Sequence, residues 1–387
     1  MHIPAKRVLV AGVSTRAAAE SAARAGFGVT AIDAFGDLDQ HASVRALSLG
    51  RSFTAHAAAR ATRSIKCDAV VYLSSFENHP KAVSTLAAGR GLWGNAPAVL
   101  QRVRDPRLVM RALRGRGCAV PEVYVAPDTI SVNNGRWLVK PLASGGGHGV
   151  RPWRRGTRLP RGRYLQELVK GTPGSVTFVA AAGRAVPLGV SRQLIGEHAF
   201  GAAGYRYCGN ILAAAGDAQF ARDEALVDAA CALARAVAEE FGVVGVNGID
   251  FIACGRVPYL VEVNPRWSSS MELVERLYGL SVFGAHAAAC EAGALPAFDL
   301  ESARRGAGAA GKAVVFARQD VTVGDTRVWL ADSSVRDIPR PGARIAAGRP
   351  VCTVFAAGRD AVACHAALVR RAERVYAELG AWERGVA

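Results

Sequence analysis

The chain has 387 residues, half of them apolar, with 48 Lys and Arg against 32 Asp and Glu and a formal net charge of +16. That length accommodates two to three domains with cores of their own. No run of about eighteen uncharged apolar residues occurs, which argues against a membrane span. Residues 1–7 lead straight toward a strand without the apolar stretch of a secretory signal, so a cytoplasmic protein is expected. Eight scattered cysteines with no Cys-x-x-Cys pair argue against a zinc site and a disulfide scaffold. The positive charge raises nucleic acid as a partner. Yet arginine is spread through Ala/Gly-rich text, and its densest cluster, residues 151–163, has only Trp153 and Tyr164 for base stacking. An anionic substrate accounts for the charge equally well.

Up to about residue 100, strand and helix alternate. Residues 7–13, 28–34 and 67–74 read as apolar strands, and 15–25 and 81–88 as helices. The pattern predicts a doubly wound parallel sheet, whose ligands bind beyond the carboxyl ends of the strands. Ser14, Arg16 and Asp33 follow strands in that way. Asp33 stands where a dinucleotide-binding acid would, but Gly12 is alone where three glycines are needed, which rejects that reading. Glu77 and Asn78 follow the third strand into the same crevice, where a plain helix-capping role is the alternative.

Residues 105–117 form a predicted helix with Leu108, Val109 and Leu113 inward. Next, the apolar strand Trp137-Leu-Val-Lys140-Pro141 delivers one lysine to a loop with Ser144, Gly145, Gly146, Gly147, His148 and Gly149. Glycines let backbone N–H groups approach phosphate oxygens, and the lysine adds a mobile charge. A flexible linker has the same composition, and the spacing is not that of the Walker loop. In Tyr164-Leu-Gln166-Glu167-Leu168-Val169, a strand ends in groups able to pair with an adenine edge. Arg192 opens a polar, glycine-rich stretch to Asn210 expected to be a loop over an acceptor site. Residues 223–241 make a long amphipathic helix, with Leu226, Ala230, Leu233, Val237 and Phe241 near one face.

The richest stretch is Asp250-Phe-Ile followed, after a turn at Gly255, by Glu262-Val-Asn264-Pro-Arg266. Residues 246–253 and 257–263 read as paired strands. Side chains two apart share a strand face, so Glu262 and Asn264 point together. A carboxylate on the neighbouring strand completes a hard-oxygen site of the kind Mg²⁺ prefers. Residues 271–277 read as a helix; from about 300, residues 312–316, 327–330 and 351–355 read as strands, and 361–379 as a helix whose packing residues include Val362, Leu368, Val375 and Leu379.

In this order, Lys140, the 145–149 loop, residues 166–169 and Asp250…Glu262-Val-Asn264-Pro-Arg266 resemble the ATP-grasp superfamily. The resemblance implies an ATP-grasp fold: a Rossmann-like pre-ATP-grasp domain over 1–100, two α+β subdomains over 101–298, and a β-rich C-terminal domain with a terminal helix over 299–387. It implies ATP as cofactor, with Lys140 on the α- and β-phosphates and the loop from Ser144 to His148 over the β- and γ-phosphates. Gln166 or Glu167, with the Leu168 and Val169 backbone, would hold adenine. Asp250, Glu262 and Asn264 would carry Mg²⁺ or Mn²⁺, and Arg266 would stabilise the transferred phosphoryl group; Arg266 and Lys140 are the expected catalytic residues. Gly12-Val-Ser-Thr-Arg16, the 33–39 segment and 75–80 are similar to a branch described as predicted carboligases related to biotin carboxylase. Two departures stand out. Asp105-Pro106 occurs where the family often has Asp-Lys, leaving Arg104 or Arg107 as substitutes, and no ribose-binding acid follows the adenine strand.

The expected activity is an ATP-dependent carboxylate–amine ligase working through an acyl phosphate. Its partners would be a small carboxylic acid and an amine, and the branch suggests cofactor biosynthesis linked to one-carbon metabolism. Ser14, Arg16, Glu77, Asn78 and Arg192 are the expected substrate residues, and a homodimer is compatible. A biotin-carboxylase-like use of bicarbonate and a non-catalytic ATP-binding protein are the rivals.

Overall fold

The structure is a computed structural model describing residues 5–125, 136–154, 156–220 and 223–383. Strands β1 (Arg7–Ala11), β2 (Gly28–Asp33), β3 (Arg45–Ser48), β4 (Ala69–Tyr72) and β5 (Gly91–Leu92) form a parallel sheet in the order β3-β2-β1-β4-β5. Both faces of β1 are buried, as a parallel sheet between helices requires. Val8 and Val10 face helix α1 (Arg16–Arg24), through Ala18, Ala19 and Ala22. Leu9 and Ala11 face α2 (Ala55–Ala61) and α3 (Pro80–Ala87), through Ala58, Ala59 and Val83. Gly12 is required at the end of β1, because a Cβ there would stand 2.5 Å from the Leu73 Cβ. Short, weakly apolar β3 and β5 carry little periodic signal and are absent from the sequence reading.

Helices α4 (Pro97–Val103) and α5 (Pro106–Gly115) lead into a four-stranded sheet, β6-β9-β7-β8, of β6 (Val123–Val125), β7 (Trp137–Pro141), β8 (Arg151–Pro152) and β9 (Arg163–Glu167). Asp105 caps α5 by accepting from the Arg107 and Leu108 N–H groups, so its proline occupies the first turn, where no donor is needed. Val109, Met110 and Leu113 are its buried face.

The largest sheet has eight strands. Its chain-order members are β10 (Thr172–Ala181), β11 (Arg184–Ile195), β12 (Tyr207–Leu212), β13 (Gly245–Cys254), β14 (Val257–Asn264) and β15 (Ala309–Phe316). A small ribbon of β16 (Val321–Thr322) and β18 (Arg344–Ile345) stands apart, while β17 (Val335–Arg336) and β19 (Pro350–Gly358) complete the order β14-β13-β10-β11-β12-β15-β19-β17. Helix α6 (Asp223–Phe241) covers Val176, Phe178 and Ala180 with Leu226, Leu233 and Val237. Helices α7 (Met271–Tyr278) and α8 (Val282–Ala292) cover the opposite face at Val179 and Ala181. After α9 (Leu300–Arg305), the terminal α10 (Ala361–Glu383) packs Cys364, Leu368 and Val375 on Val315 and Val354.

Hydrogen bonding thus runs across the expected boundary at 298, because β12 pairs with β15. Gly209 permits this: a Cβ there would stand 2.1 Å from the Lys312 carbonyl oxygen. Three expectations are corrected. Residues 327–330 lie in a 3₁₀ segment, Thr326–Ala331, begun by the Asp325 carboxylate accepting from the Arg327 N–H. Val362 points outward at 77% exposure. The expected loop over 192–210 narrows to 196–206, because 192–195 end β11 and 207–210 begin β12. Among the described residues, no helix is long and apolar enough to cross a membrane.

Candidate functional site

A cleft of ≈ 1890 Å³ lies between the three sheets, lined by the carboxyl ends of β1 and β4, the 144–148 loop, the β13–β14 hairpin and the segment before β19. The hairpin places its acids as the strand period demands. Asp250 and Glu262 are direct cross-strand partners, and Asn264 sits opposite Gly248, where no side chain competes for space. Asn264 Nδ2 donates to Asp250 Oδ2 at 3.1 Å, and Gln193 Nε2 donates to Asp250 Oδ1 at 2.9 Å. Arg104 Nη1 donates to Glu262 Oε1 at 2.6 Å and Nη2 to the Ser144 carbonyl at 3.2 Å, tying the metal-type acid to the glycine-rich loop.

Burial and then the facing Glu262 carboxylate push Asp250 up to about 6. Burial also opposes ionisation of Glu262, but the Arg104 guanidinium and Lys140 ammonium outweigh it and hold Glu262 below the ordinary carboxylate range. One acid is thus ionised while its neighbour resists, and a divalent cation between them would hold both ionised. The donor set of two carboxylates and an amide oxygen fits Mg²⁺ or Mn²⁺. Among the described residues there is no cluster of three or more His, Cys, Asp or Glu suited to a metal, so the amide and a bound phosphate must complete any such site.

Lys140 is buried on β7, with Nζ donating to Gln166 Oε1 at 3.0 Å. Gln166 also donates to the Val261 carbonyl at 3.2 Å, so its amide is committed to the protein rather than aimed outward. Glu167 is exposed and accepts from the Glu122 N–H at 3.1 Å, while the Leu168 N–H donates to the Arg136 carbonyl. Val169, with Gln166, Glu167 and Leu168, lines the cleft. In the glycine loop, Gly146, Gly147 and Gly149 all take left-handed φ. Arg266 donates through Nε to Glu77 Oε1 at 2.8 Å and through Nη2 to Asn264 Oδ1 at 3.2 Å. It faces the cleft beside the hairpin acids.

The substrate residues expected on the N-terminal side need correction. Glu77 is buried behind Arg266 and does not line the cleft; it orients the arginine. Asn78 likewise turns away to accept from Arg104 Nε. Arg192 is off the cleft because neighbouring strand residues face opposite ways, and Gln193 takes the cleft side. Arg16 does line the cleft, but its guanidinium is bound by Glu272 (2.8 and 3.1 Å), Asp337 (2.9 Å) and Glu20 (3.0 Å). A guanidinium so committed is a structural cation, not a free substrate clamp. Ser14 remains exposed at the end of β1 on the cleft wall. Asp33 accepts from the Thr15 hydroxyl and the Phe35 and Gly36 N–H groups, a turn-fixing role.

Sequence reasoning missed Gln193, and also the buried pair Asn95–Asn247. Asn95 donates to Asn247 Oδ1 (2.8 Å) and the Pro265 carbonyl (3.0 Å), and Tyr72 donates to the same carbonyl (3.2 Å), which fixes the backbone entering Arg266. Nothing in local sequence marks these residues: Gln193 meets Asp250 57 positions away, and Asn95 meets Asn247 152 positions away.

Residues 103–270 match the family model of the ATP-grasp domain. Pyruvate carboxylase of Rhizobium etli superposes with a TM-score of 0.73 at 15% identity, covering 95% of this chain and 37% of that one. A biotin carboxylase–β,γ-ATP complex from Campylobacter jejuni gives 0.68 at 13% identity over 92% and 88% of the two chains. L-amino acid ligase from Bacillus licheniformis gives 0.68 at 15% identity over 96% and 98%. The chain thus spans about a third of the pyruvate carboxylase and nearly all of the other two. No protein of curated function matches the sequence. The match to the ATP-grasp domain is confined to residues 103–270, while more than nine-tenths of the chain shares the fold of these solved structures.

Proposed function

We propose that the protein is an ATP-dependent ligase that joins a small carboxylic acid to an amine, with Lys140 and Arg266 as its cationic catalytic residues. The observation that carries this reading is the convergence, in one cleft, of the Asp250–Glu262 acid pair with Lys140, Arg104 and Arg266 beside a glycine-rich loop. Asp250, Glu262 and Asn264 would hold Mg²⁺, which when bound would neutralise phosphate charge. Lys140 neutralises phosphate oxygens from the β7 side, and the loop N–H groups from Gly145 to His148 cradle them. A carboxylate oxygen of the acid attacks the γ-phosphorus and ADP leaves, giving an acyl phosphate. The amine nitrogen then attacks the acyl carbon, phosphate departs with an oxygen from the acid, and the amine proton passes to solvent. Arg266, oriented by Glu77, matches the equatorial oxygens of the moving phosphoryl group.

Bicarbonate as the acid gives the carboxylase alternative by the same first step. With the acid labelled with ¹⁸O, released phosphate should carry the label. Unlabelled phosphate during productive joining rules out the acyl phosphate. A strict bicarbonate requirement selects the carboxylase reading, and ATP binding without ADP release across broad pools of acids and amines selects a non-catalytic protein.

A further inference from the structure

Two arginines and a histidine from three separate parts of the chain converge where the glycine-rich loop meets the C-terminal wall of the cleft. They are His148 in the loop, Arg206 at the end of the β11–β12 turn and Arg349 just before β19, and all three line the cleft. The loop and the turn are in direct contact. A Cβ on Gly147 would stand 1.8 Å from the Tyr205 carbonyl oxygen, and the Tyr207 N–H donates to the Gly146 carbonyl at 3.1 Å. Arg206 is held in place by donating to the Gly348 carbonyl and lying 5.0 Å from the Phe316 ring centroid. The turn carrying Arg349 is pinned by the Gly348 N–H to Ala317 O (2.7 Å) and the Ala317 N–H to Arg349 O (2.9 Å).

The arginines whose side chains are nearly buried around the cleft are paired: Arg16 with Glu272, Arg104 with Glu262 and Arg266 with Glu77. Among the described residues, neither Arg206 nor Arg349 has a carboxylate within ion-pair reach. Burial, then Arg206, then Arg349 pull His148 below the ordinary imidazole value, an independent sign that the three share one field. Like charges facing one cleft repel, and this costs stability unless a ligand supplies the missing negative charge. Guanidinium forks are suited to tetrahedral phosphate oxygens, which accept two parallel N–H bonds.

We propose that Arg206, Arg349 and His148 form a phosphate clamp closing on the glycine-rich loop from the C-terminal wall. This rests on the ligase reading for its context. Two sources of the phosphate share this chemistry: the terminal phosphate of ATP, and a phosphate already borne by the acid or amine. The test is calorimetric titration of wild type, Arg349→Gln, Arg349→Lys and Arg206→Gln with Mg·ATP, Mg·ADP, AMP and inorganic phosphate, alone and with Mg·ADP present. Matched thermal midpoints verify the fold, and Arg349→Gln is the decisive variant because Arg349 is exposed and its side chain makes no hydrogen bond or ion pair among the described residues.

A clamp on the terminal phosphate shows as a tenfold or greater loss of ATP affinity in Arg349→Gln, with ADP and AMP within about twofold of wild type and partial rescue in Arg349→Lys. A clamp on an acceptor phosphate leaves all three nucleotides unchanged and removes inorganic phosphate binding instead. Wild-type affinity of both arginine→Gln variants for ATP and for phosphate overturns the proposal. If wild type binds no nucleotide, the ligase reading fails, while the phosphate titration still decides the clamp: no binding, or equal binding in wild type and variants, overturns it.

Discussion

Replacing Gly147 with alanine should cripple nucleotide binding while sparing the fold. Gly147 has φ +75°, a left-handed conformation that costs a residue with a Cβ about 1–3 kcal/mol. The new Cβ would also lie 1.8 Å from the Tyr205 carbonyl oxygen and 2.6 Å from its carbon, and both belong to backbone that cannot swing aside. Normal contact needs about 3.5 Å, so the loop must lift off the β11–β12 turn by more than about 1 Å. That breaks the bond from the Tyr207 N–H to the Gly146 carbonyl, worth about 0.5–1.5 kcal/mol. Together the closed arrangement loses about 2–4 kcal/mol, or about thirtyfold or more in Mg·ATP affinity if the loop must sit closed to bind. Gly145 is the internal control. Its φ is not left-handed and a Cβ there meets nothing within 4 Å, so Gly145→Ala should bind nearly as wild type. Calorimetric titration of the three proteins decides. Equal ATP affinity in Gly147→Ala and wild type would refute the claim that this seat on the turn forms the nucleotide site.

Lys140→Ala should weaken ATP binding about tenfold or more, the loss of one charged hydrogen bond, and should lower the thermal midpoint of the nucleotide-free protein modestly, because Gln166 loses a partner and Glu262 loses a neighbouring cation. Equal affinity by calorimetry rejects the phosphate role. Glu262→Gln should lower Mn²⁺ affinity and turnover strongly; it should also cost about 1–3 kcal/mol of stability, since Arg104 loses its ionised partner. Unchanged metal affinity and product formation together reject the metal assignment. Burial holds the His286 imidazole, whose Nδ1 accepts from the Val246 N–H, down to about 4. The unfolded chain takes up that proton near pH 6.5, so the contribution is complete above that value and is lost as pH falls toward 4, by about 2 kcal/mol at pH 5. Urea unfolding at both ends of this window should show that increment in wild type and not in His286→Gln.

The sequence alone determined whatever depends on short-range periodicity and on residue type. Alternation in 246–264 placed Asp250, Glu262 and Asn264 on one face, and the hairpin pairs Asp250 with Glu262 directly. The strand delivering Lys140 and the glycine-rich loop were legible for the same reason, since few chemistries need that combination. The tertiary structure decided which polar groups remain available. Arg16, Glu77 and Asn78 all lie where the strand order predicts, yet each is claimed by a partner far away in sequence: Glu272 and Asp337, Arg266, and Arg104. Charge pairing is set by through-space distance, and no local pattern encodes it. Arg206 and Arg349, isolated arginines in an arginine-rich chain, gain meaning only because the β11–β12 turn and the segment before β19 fold beside the glycine loop, where neither has a carboxylate partner among the described residues.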